Sequence, residues 1–251
     1  MVGTWCVLPS PAVTNILAEA GMDYVILDME HGPITFETAE DMVRAAELGG
    51  CSPIVRPSSR EESDILRALE IGAHGIIVPN IQNADHVRSV INAAKYAPIG
   101  ARGHSPFTRA GGYTRRAVPE RLKAANRETL VALIVEGVEG LDSLDSILEA
   151  GQDNIDVVYF GPYDLSHSMG HPGDVRHPEV VEAIRDCVER AGRSGVALGS
   201  LANDFDDVAL LKSAGLGFIA FQGECSILLE RVQEIVEACK EDVPPPADMH
   251  P

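Results

Sequence analysis

Residues 69–78 read LEIGAHGIIV: a helix ends, a glycine turns the chain, and a buried strand begins. The same grammar recurs at 18–27 (AEAGMDYVIL) and at 211–220 (LKSAGLGFIA). Outward from these phrases, eight strand-like runs appear, at about 2–8, 23–28, 53–56, 74–78, 131–135, 155–160, 196–199 and 217–221. Most are rich in Val, Ile, Leu or Phe without strict alternation, as strands buried on both faces are. Helical periodicity fills the intervals, at about 11–20, 36–48, 61–71, 83–95, 140–150, 178–193, 204–214 and 224–241. Asp204 is placed to cap one start, and Gly21, Gly72, Gly195 and Gly215 fall where helices end. Eight such alternations predict an α/β protein, a (β/α)8 TIM barrel, rather than a doubly wound sheet. The doubly wound alternative also lacks its fingerprint, because no GxGxxG follows the first strand.

At 251 residues the chain has the usual length of one such barrel. Residues 1–241 are expected to form a single domain and 242–251 (DVPPPADMHP) a flexible tail. Hydrophobic residues make up 45% of the chain and aromatics only 5%, so aliphatic side chains and Ala are expected to fill the core. Asp and Glu (38) outnumber Lys and Arg (20), for a formal charge of −18. That balance offers no electrostatic footprint for nucleic acid or an anionic membrane, and no apolar run reaches the length of a membrane span. An anionic substrate would need local positive charge from an Arg or a metal ion. The five Cys (Cys6, Cys51, Cys187, Cys225, Cys239) are widely spaced without CxxC and read as reduced thiols of a cytoplasmic protein. The start, MVGTWCVL, lacks the basic segment of a signal peptide. The stretch 97–125, rich in Gly, Arg and Pro, interrupts the rhythm after the fourth strand and is expected to be a functional lid or subunit contact.

In a closed barrel the C-terminal ends of all strands meet at one face, where catalytic groups cluster. Polar residues follow the apolar runs at those ends: Asp28 and His31 after DYVIL, Arg56 after PIV, Glu136 after LVALIV and Asp164 after DVVYFGPY. Glu136 and Asp164 leave neighbouring strands, and two carboxylates brought together repel unless one is protonated or a cation sits between them. Oxygen ligands completed by water and substrate suit Mg²⁺ or Mn²⁺, whereas Zn²⁺ more often recruits His or Cys. His31 is a candidate base near neutral pH, oriented by Asp28 or Glu70; its other reading is a His bonded to a loop carbonyl. Arg56, the last side chain before Pro57, needs an anionic partner: a substrate carboxylate, a developing enolate, or Asp28 or Glu30. Gly161 and Pro162 lead into a short helix at Tyr163 and Asp164 whose N–H groups suit a carboxylate. His167, His171 and His177 have no closed metal spacing and read as surface residues, and His74 and His104 are weaker candidates for the pocket. No GxSxG occurs and no Lys sits at a strand end, which argues against a serine nucleophile and against Schiff-base chemistry.

Together, DMEHGP (28–33), VRPS (55–58), GAHGIIVPNIQNAD (72–85), ARGHS (101–105), TRAGGY (108–113), IVEG (134–137) and YFGPYDLS (159–166) give a chain that resembles the HpcH/HpaI family of metal-dependent class II pyruvate aldolases along nearly its whole length. The resemblance implies a TIM barrel that exchanges its C-terminal helix within a homo-oligomer, a trimer or hexamer. It implies a divalent cation, Mg²⁺, Mn²⁺ or Co²⁺, at Glu136 and Asp164. It implies His31 as the base, directly or through metal-bound water, with Glu70 raising its basicity and Arg56 stabilising an enolate. The Gly161-Pro162-Tyr163-Asp164 loop would hold the pyruvate carboxylate. The implied reaction cleaves or forms 4-hydroxy-2-oxo acids, with a 2-oxo acid and an aldehyde as partners. The alternative is a related 2-oxo acid lyase, such as an oxaloacetate decarboxylase or a Claisen-type enzyme with another donor. Two positions depart from the common family pattern: Ile134-Val135-Glu136 replaces Gln-Ile-Glu, and Tyr163 replaces the Ala of Gly-Pro-Ala-Asp.

Overall fold

Strands that are apolar on both faces must be covered on both faces. In the computed structural model of the protein, a closed barrel covers one face and a ring of helices the other. The structure describes residues 1–192 and 194–241, so the tail expected at 242–251 lies outside the described residues. The strands are β1 (Val2–Cys6), β2 (Tyr24–Asp28), β3 (Ser52–Arg56), β4 (Gly75–Val78), β5 (Leu130–Val135), β6 (Val157–Phe160), β7 (Ala197–Ala202) and β8 (Phe218–Gly223). Between them run α1 (Pro11–Glu19), α2 (Phe36–Leu48), α3 (Glu62–Glu70), α4 (Ala84–Ala94), α5 (Val118–Glu128), α6 (Val138–Asp142), α7 (Leu144–Gly151), α8 (Pro162–Ser168), α9 (Pro178–Ala191) and α10 (Phe205–Ser213), with α11 (Glu224–Glu241) last. All eight strands pair in parallel and in chain order, β8 returning to β1, which is the expected (β/α)8 barrel. Asp204 caps α10 by accepting the Asp207 N–H at 2.8 Å. Gly72 turns the chain between α3 and β4 at φ +87°, a conformation open to glycine at little cost.

The core has two parts, and one corrects the expectation drawn from composition. Between strands and helices it is aliphatic, as expected, with Val25, Leu27, Val55, Ile76 and Leu133 fully buried. Inside the barrel three of the few aromatic rings take the space. Tyr24 and Phe218 stack at 4.1 Å between centroids, and Tyr159 meets Phe218 edge-on at 6.4 Å. A barrel of eight strands has just enough interior for side chains, and large rings need small neighbours there. Gly3 supplies one, since a Cβ on it would lie 2.4 Å from the Tyr24 ring.

The stretch 97–125 also needs correction. It is not all loop, because α5 begins inside it. That helix carries only a short, half-buried apolar stripe, Val118, Leu122 and Ala125. It is tied by Arg121, which donates to the carbonyls of Gly111, Thr114 and Arg116. At the other end of the chain, Glu224 latches the barrel closure. Its Oε1 accepts the N–H groups of Val7 (2.8 Å) and Leu8 (2.6 Å), joining the exit of β8 to the exit of β1.

Gly3→Ala is expected to destabilise the fold by about 1–3 kcal/mol through overpacking against Tyr24. Urea denaturation would measure this, and an unchanged midpoint would contradict the packing described.

Candidate active site

Parallel register sets Asp28, the last residue of β2, directly beside Arg56, the last of β3. Their side chains form a two-pronged pair: Arg56 Nε donates to Asp28 Oδ1 at 2.9 Å, and Nη2 donates to Oδ2 at 2.6 Å. Both are buried. The third guanidinium nitrogen, Nη1, lies 3.0 Å from Glu30 Oε2, and the guanidinium sits over the Trp5 ring at 4.4 Å. Both acidic partners considered for Arg56 are therefore engaged at once. Asp28 Oδ1 also accepts the backbone N–H groups of Glu30 (3.0 Å) and His31 (3.1 Å). Asp28 thus meets His31 through the main chain rather than the imidazole, and it shapes the turn that presents that ring.

Across the cavity, Glu136 follows β5 and Asp164 lies in the first turn of α8. Glu136 Oε1 accepts the Asn80 N–H at 2.7 Å. Its Oε2 faces Gly161, where a Cβ would come within 3.0 Å, so a larger residue there would crowd the carboxylate. Burial pushes the Glu136 carboxyl up to about 7; the Asn80 bond opposes this, and the Asp164 and Glu30 carboxylates reinforce it. A buried acid beside other acids lacks positive charge. A hard divalent ion between Glu136 and Asp164 fits that deficit and the oxygen donors offered. At the start of α8, Gly161 is the N-cap without a side-chain cap bond, and Pro162 has no N–H to offer. The Tyr163 and Asp164 N–H groups are thus the free donors of the first turn. The Tyr163 hydroxyl donates to Asn203 Oδ1 at 2.8 Å.

One cavity of about 720 Å³ at the C-terminal end of the strands brings together Asp28, His31, Arg56, Glu136, Gly161, Pro162, Tyr163 and Asp164. Ile134 and Tyr159 also line it, the latter accepting the Trp5 Nε1–H at 3.1 Å. Glu70 is not among these residues. It ends α3, and a helix returning from one strand to the next finishes at the opposite end of the barrel. There its Oε1 accepts from Arg102 Nη2 at 3.0 Å. His74 pairs with Glu47 and His104 packs edge-on against Tyr96, so neither lines the cavity. Arg102 and Arg109 are held by Glu70 and Glu47, away from the site. Sequence reasoning missed Trp5, Asn80, Asn203 and Gln222, whose uncharged side chains give no titratable signal. Only Asn80 leaves a trace: its φ of +63° is a conformation that Asn tolerates better than most residues.

The HpcH/HpaI aldolase/citrate lyase family model matches residues 1–225. A pyruvate aldolase of Rhizobium etli is 37% identical over 227 residues, spanning 90% of this chain and 88% of its own. A 4-hydroxy-2-oxo-heptane-1,7-dioate aldolase of Klebsiella pneumoniae is 35% identical, spanning 94% and 88%. The crystal structure of a family protein from Burkholderia cenocepacia superposes with a TM-score of 0.90 at 29% identity, covering 96% of this chain and 94% of its own. With a family model that matches residues 1–225, relatives similar along most of their length and a matching barrel, the chain belongs to the HpcH/HpaI aldolase/citrate lyase family.

Proposed function

We propose that this cavity cleaves and forms 4-hydroxy-2-oxo acids by way of a pyruvate enolate, with a divalent cation (Mg²⁺, Mn²⁺ or Co²⁺) held by Glu136 and Asp164. The observation that carries this reading is the pairing of those carboxylates, one pushed up to about 7, with a buried guanidinium in the same cavity. The names of the relatives, a pyruvate aldolase and a 4-hydroxy-2-oxo-heptane-1,7-dioate aldolase, support it. When bound, the cation supplies the Lewis acidity that favours charge on the 2-oxo group. The free N–H groups of Tyr163 and Asp164 receive the carboxylate of the 2-oxo acid, and Gly161 and Pro162 shape the approach. Asp28 positions Arg56, whose remaining N–H donors stabilise negative charge as it develops on the keto oxygen. His31 takes the proton of the 4-hydroxyl; the C3–C4 bond breaks, the aldehyde departs, and the imidazolium of His31 returns that proton to C3 to give pyruvate. Glu70 has no part in this scheme.

Ile134 favours a second reading. Its buried apolar side chain stands beside Gly161 and offers the donor no hydrogen bond. A bulkier 2-oxo acid, decarboxylated or condensed through the same enolate, would tolerate that wall. Decarboxylation is distinguished by release of CO₂ without an aldehyde.

The partners are small molecules and further copies of the chain. A trimer or hexamer is supported by α11, where Leu228, Leu229, Val232, Ile235 and Val236 are all exposed. A cytoplasmic location is supported by five unpaired Cys. No helix among the described residues is long and apolar enough to cross a membrane.

The reaction is tested by cleavage of a 4-hydroxy-2-oxo acid, with pyruvate detected enzymatically. Chelation should abolish the rate and Mg²⁺ or Mn²⁺ restore it; a rate indifferent to chelator would overturn the metal assignment. His31→Ala should lower kcat by about 10²–10⁴-fold with the denaturation midpoint kept, and a wild-type rate would remove His31 from the scheme. Arg56→Lys, which loses the fork geometry, should cost about 10²–10³-fold in kcat. Because the Glu136 carboxyl is raised, the metal-free protein holds its proton below pH 7 and must release it to bind an ion. Calorimetry should therefore show cation affinity rising from pH 6 to pH 8 with proton release at the lower pH, and Glu136→Gln should abolish that dependence.

A further inference from the structure

His171, His177 and Glu179 gather where the chain passes from α8 to α9, outside the cavity described above. We propose that they form a second metal site, selective for a nitrogen-seeking ion such as Zn²⁺. Their ligand atoms all lie within 4.8 Å of one another, and the two imidazoles stack at 3.4 Å with 14° between planes. Ligands around a tetrahedral Zn²⁺, with bonds of about 2.0–2.1 Å, stand roughly 3.3 Å apart. Stacked rings direct their in-plane lone pairs side by side, so one imidazole must turn out of the stack for both nitrogens and Glu179 to meet one ion. His171 Nε2 already lies 3.0 Å from Glu179 Oε2.

The backbone beneath the cluster is fixed. The His171 N–H donates to Ser166 O at 2.8 Å, the Asp174 N–H to His171 O at 3.0 Å, and the His177 N–H to Asp174 O at 3.1 Å. Buried Ser166 accepts the Gly173 N–H at 3.2 Å and donates to Tyr163 O at 2.7 Å. Pro178 makes His177 the N-cap of α9, which brings Glu179 to the same side. The neighbouring cation, Arg176, is already taken up by Asp204 and Asp207 at 2.6 and 2.7 Å. His171 and Glu179 remain open to solvent, so an ion has access. Their sequence spacing shows none of this: the histidines lie at the surface, as expected, and the cap geometry brings two of them beside Glu179.

Two imidazoles and one carboxylate, with water in the fourth position, are a zinc-type donor set. The Glu136–Asp164 pair offers only oxygens and suits harder ions. His177 Nδ1 accepts the Glu179 N–H at 3.3 Å, so the ion takes Nε2, the ring proton moves to Nδ1, and that long cap bond is given up. At His171 the ion displaces the proton facing Glu179, which passes to Nδ1 or to solvent. A filled site would brace the segment that follows Asp164 on α8.

The test is titration of metal-stripped full-length protein with Zn²⁺ against a chromophoric chelator, and with Co²⁺ followed by visible absorption. His177→Asn keeps a good N-cap while removing the imidazole, and Glu179→Gln changes only an exposed carboxylate. Each should remove one Zn²⁺ per chain or weaken one class of sites at least tenfold, and His177→Asn should change the Co²⁺ spectrum. Glu136→Gln should leave this class intact, so failure of the proposed reaction would not be mistaken for failure of this site. Stoichiometry, affinity and Co²⁺ spectrum unchanged from wild type in both variants would overturn the proposal.

Discussion

The site depends on a buried ion pair between the ends of two adjacent strands. A guanidinium out of water is costly unless its charge and donors are met, and Asp28 meets Arg56 with two near-parallel hydrogen bonds. Removing either partner would strand the other. The same carboxylate gathers the N–H groups of Glu30 and His31, so one interaction fixes both the direction of the cation and the turn that carries the imidazole. Trp5 beneath the guanidinium adds a cation–π contact and closes the floor. The barrel makes this arrangement available because parallel register places Asp28 opposite Arg56.

The pair leaves a local charge imbalance that explains the chemistry. Asp28 neutralises Arg56, yet Glu30, Glu136 and Asp164 share the same region in a chain of formal charge −18. Burial raises the Glu30 carboxyl as well as that of Glu136. A site with surplus carboxylates repels an anionic 2-oxo acid until a cation balances them. Lysine is absent from the cavity lining, so the positive charge for this aldolase has no Schiff-base source there. The acids proposed to hold the metal are thus also the reason an anionic substrate would need one there.

Much of this was legible in the sequence, for a physical reason. Strands covered on both faces must be apolar throughout, and a polar residue directly after such a run has only the barrel mouth to face; that exposed Asp28, His31, Arg56, Glu136 and Asp164. Glu70 was the wrong kind of position, because the end of a helix lies at the other end of the barrel from the end of a strand. The helix α5 has only a short apolar stripe, Val118, Leu122 and Ala125, set in a stretch rich in Gly, Arg and Pro that masks it. Asn80 and Asn203 act through a backbone N–H and an amide; Asn203 does not announce itself among surrounding residues, and Asn80 does so only as a residue type that tolerates its left-handed backbone. The aromatic packing inside the barrel was hidden because composition counts rings without saying where they gather. The His171, His177 and Glu179 cluster depends on a helix cap, which is three-dimensional information.

An enolate generated from pyruvate by these residues would exchange the methyl protons of pyruvate with solvent. The most direct measurement follows exchange of the pyruvate methyl protons into D₂O by NMR, using metal-stripped protein with and without added Mg²⁺, alongside His31→Ala. Exchange that requires both Mg²⁺ and His31 is the predicted result. Absence of exchange in protein shown to bind Mg²⁺, or exchange undiminished in His31→Ala, would contradict it.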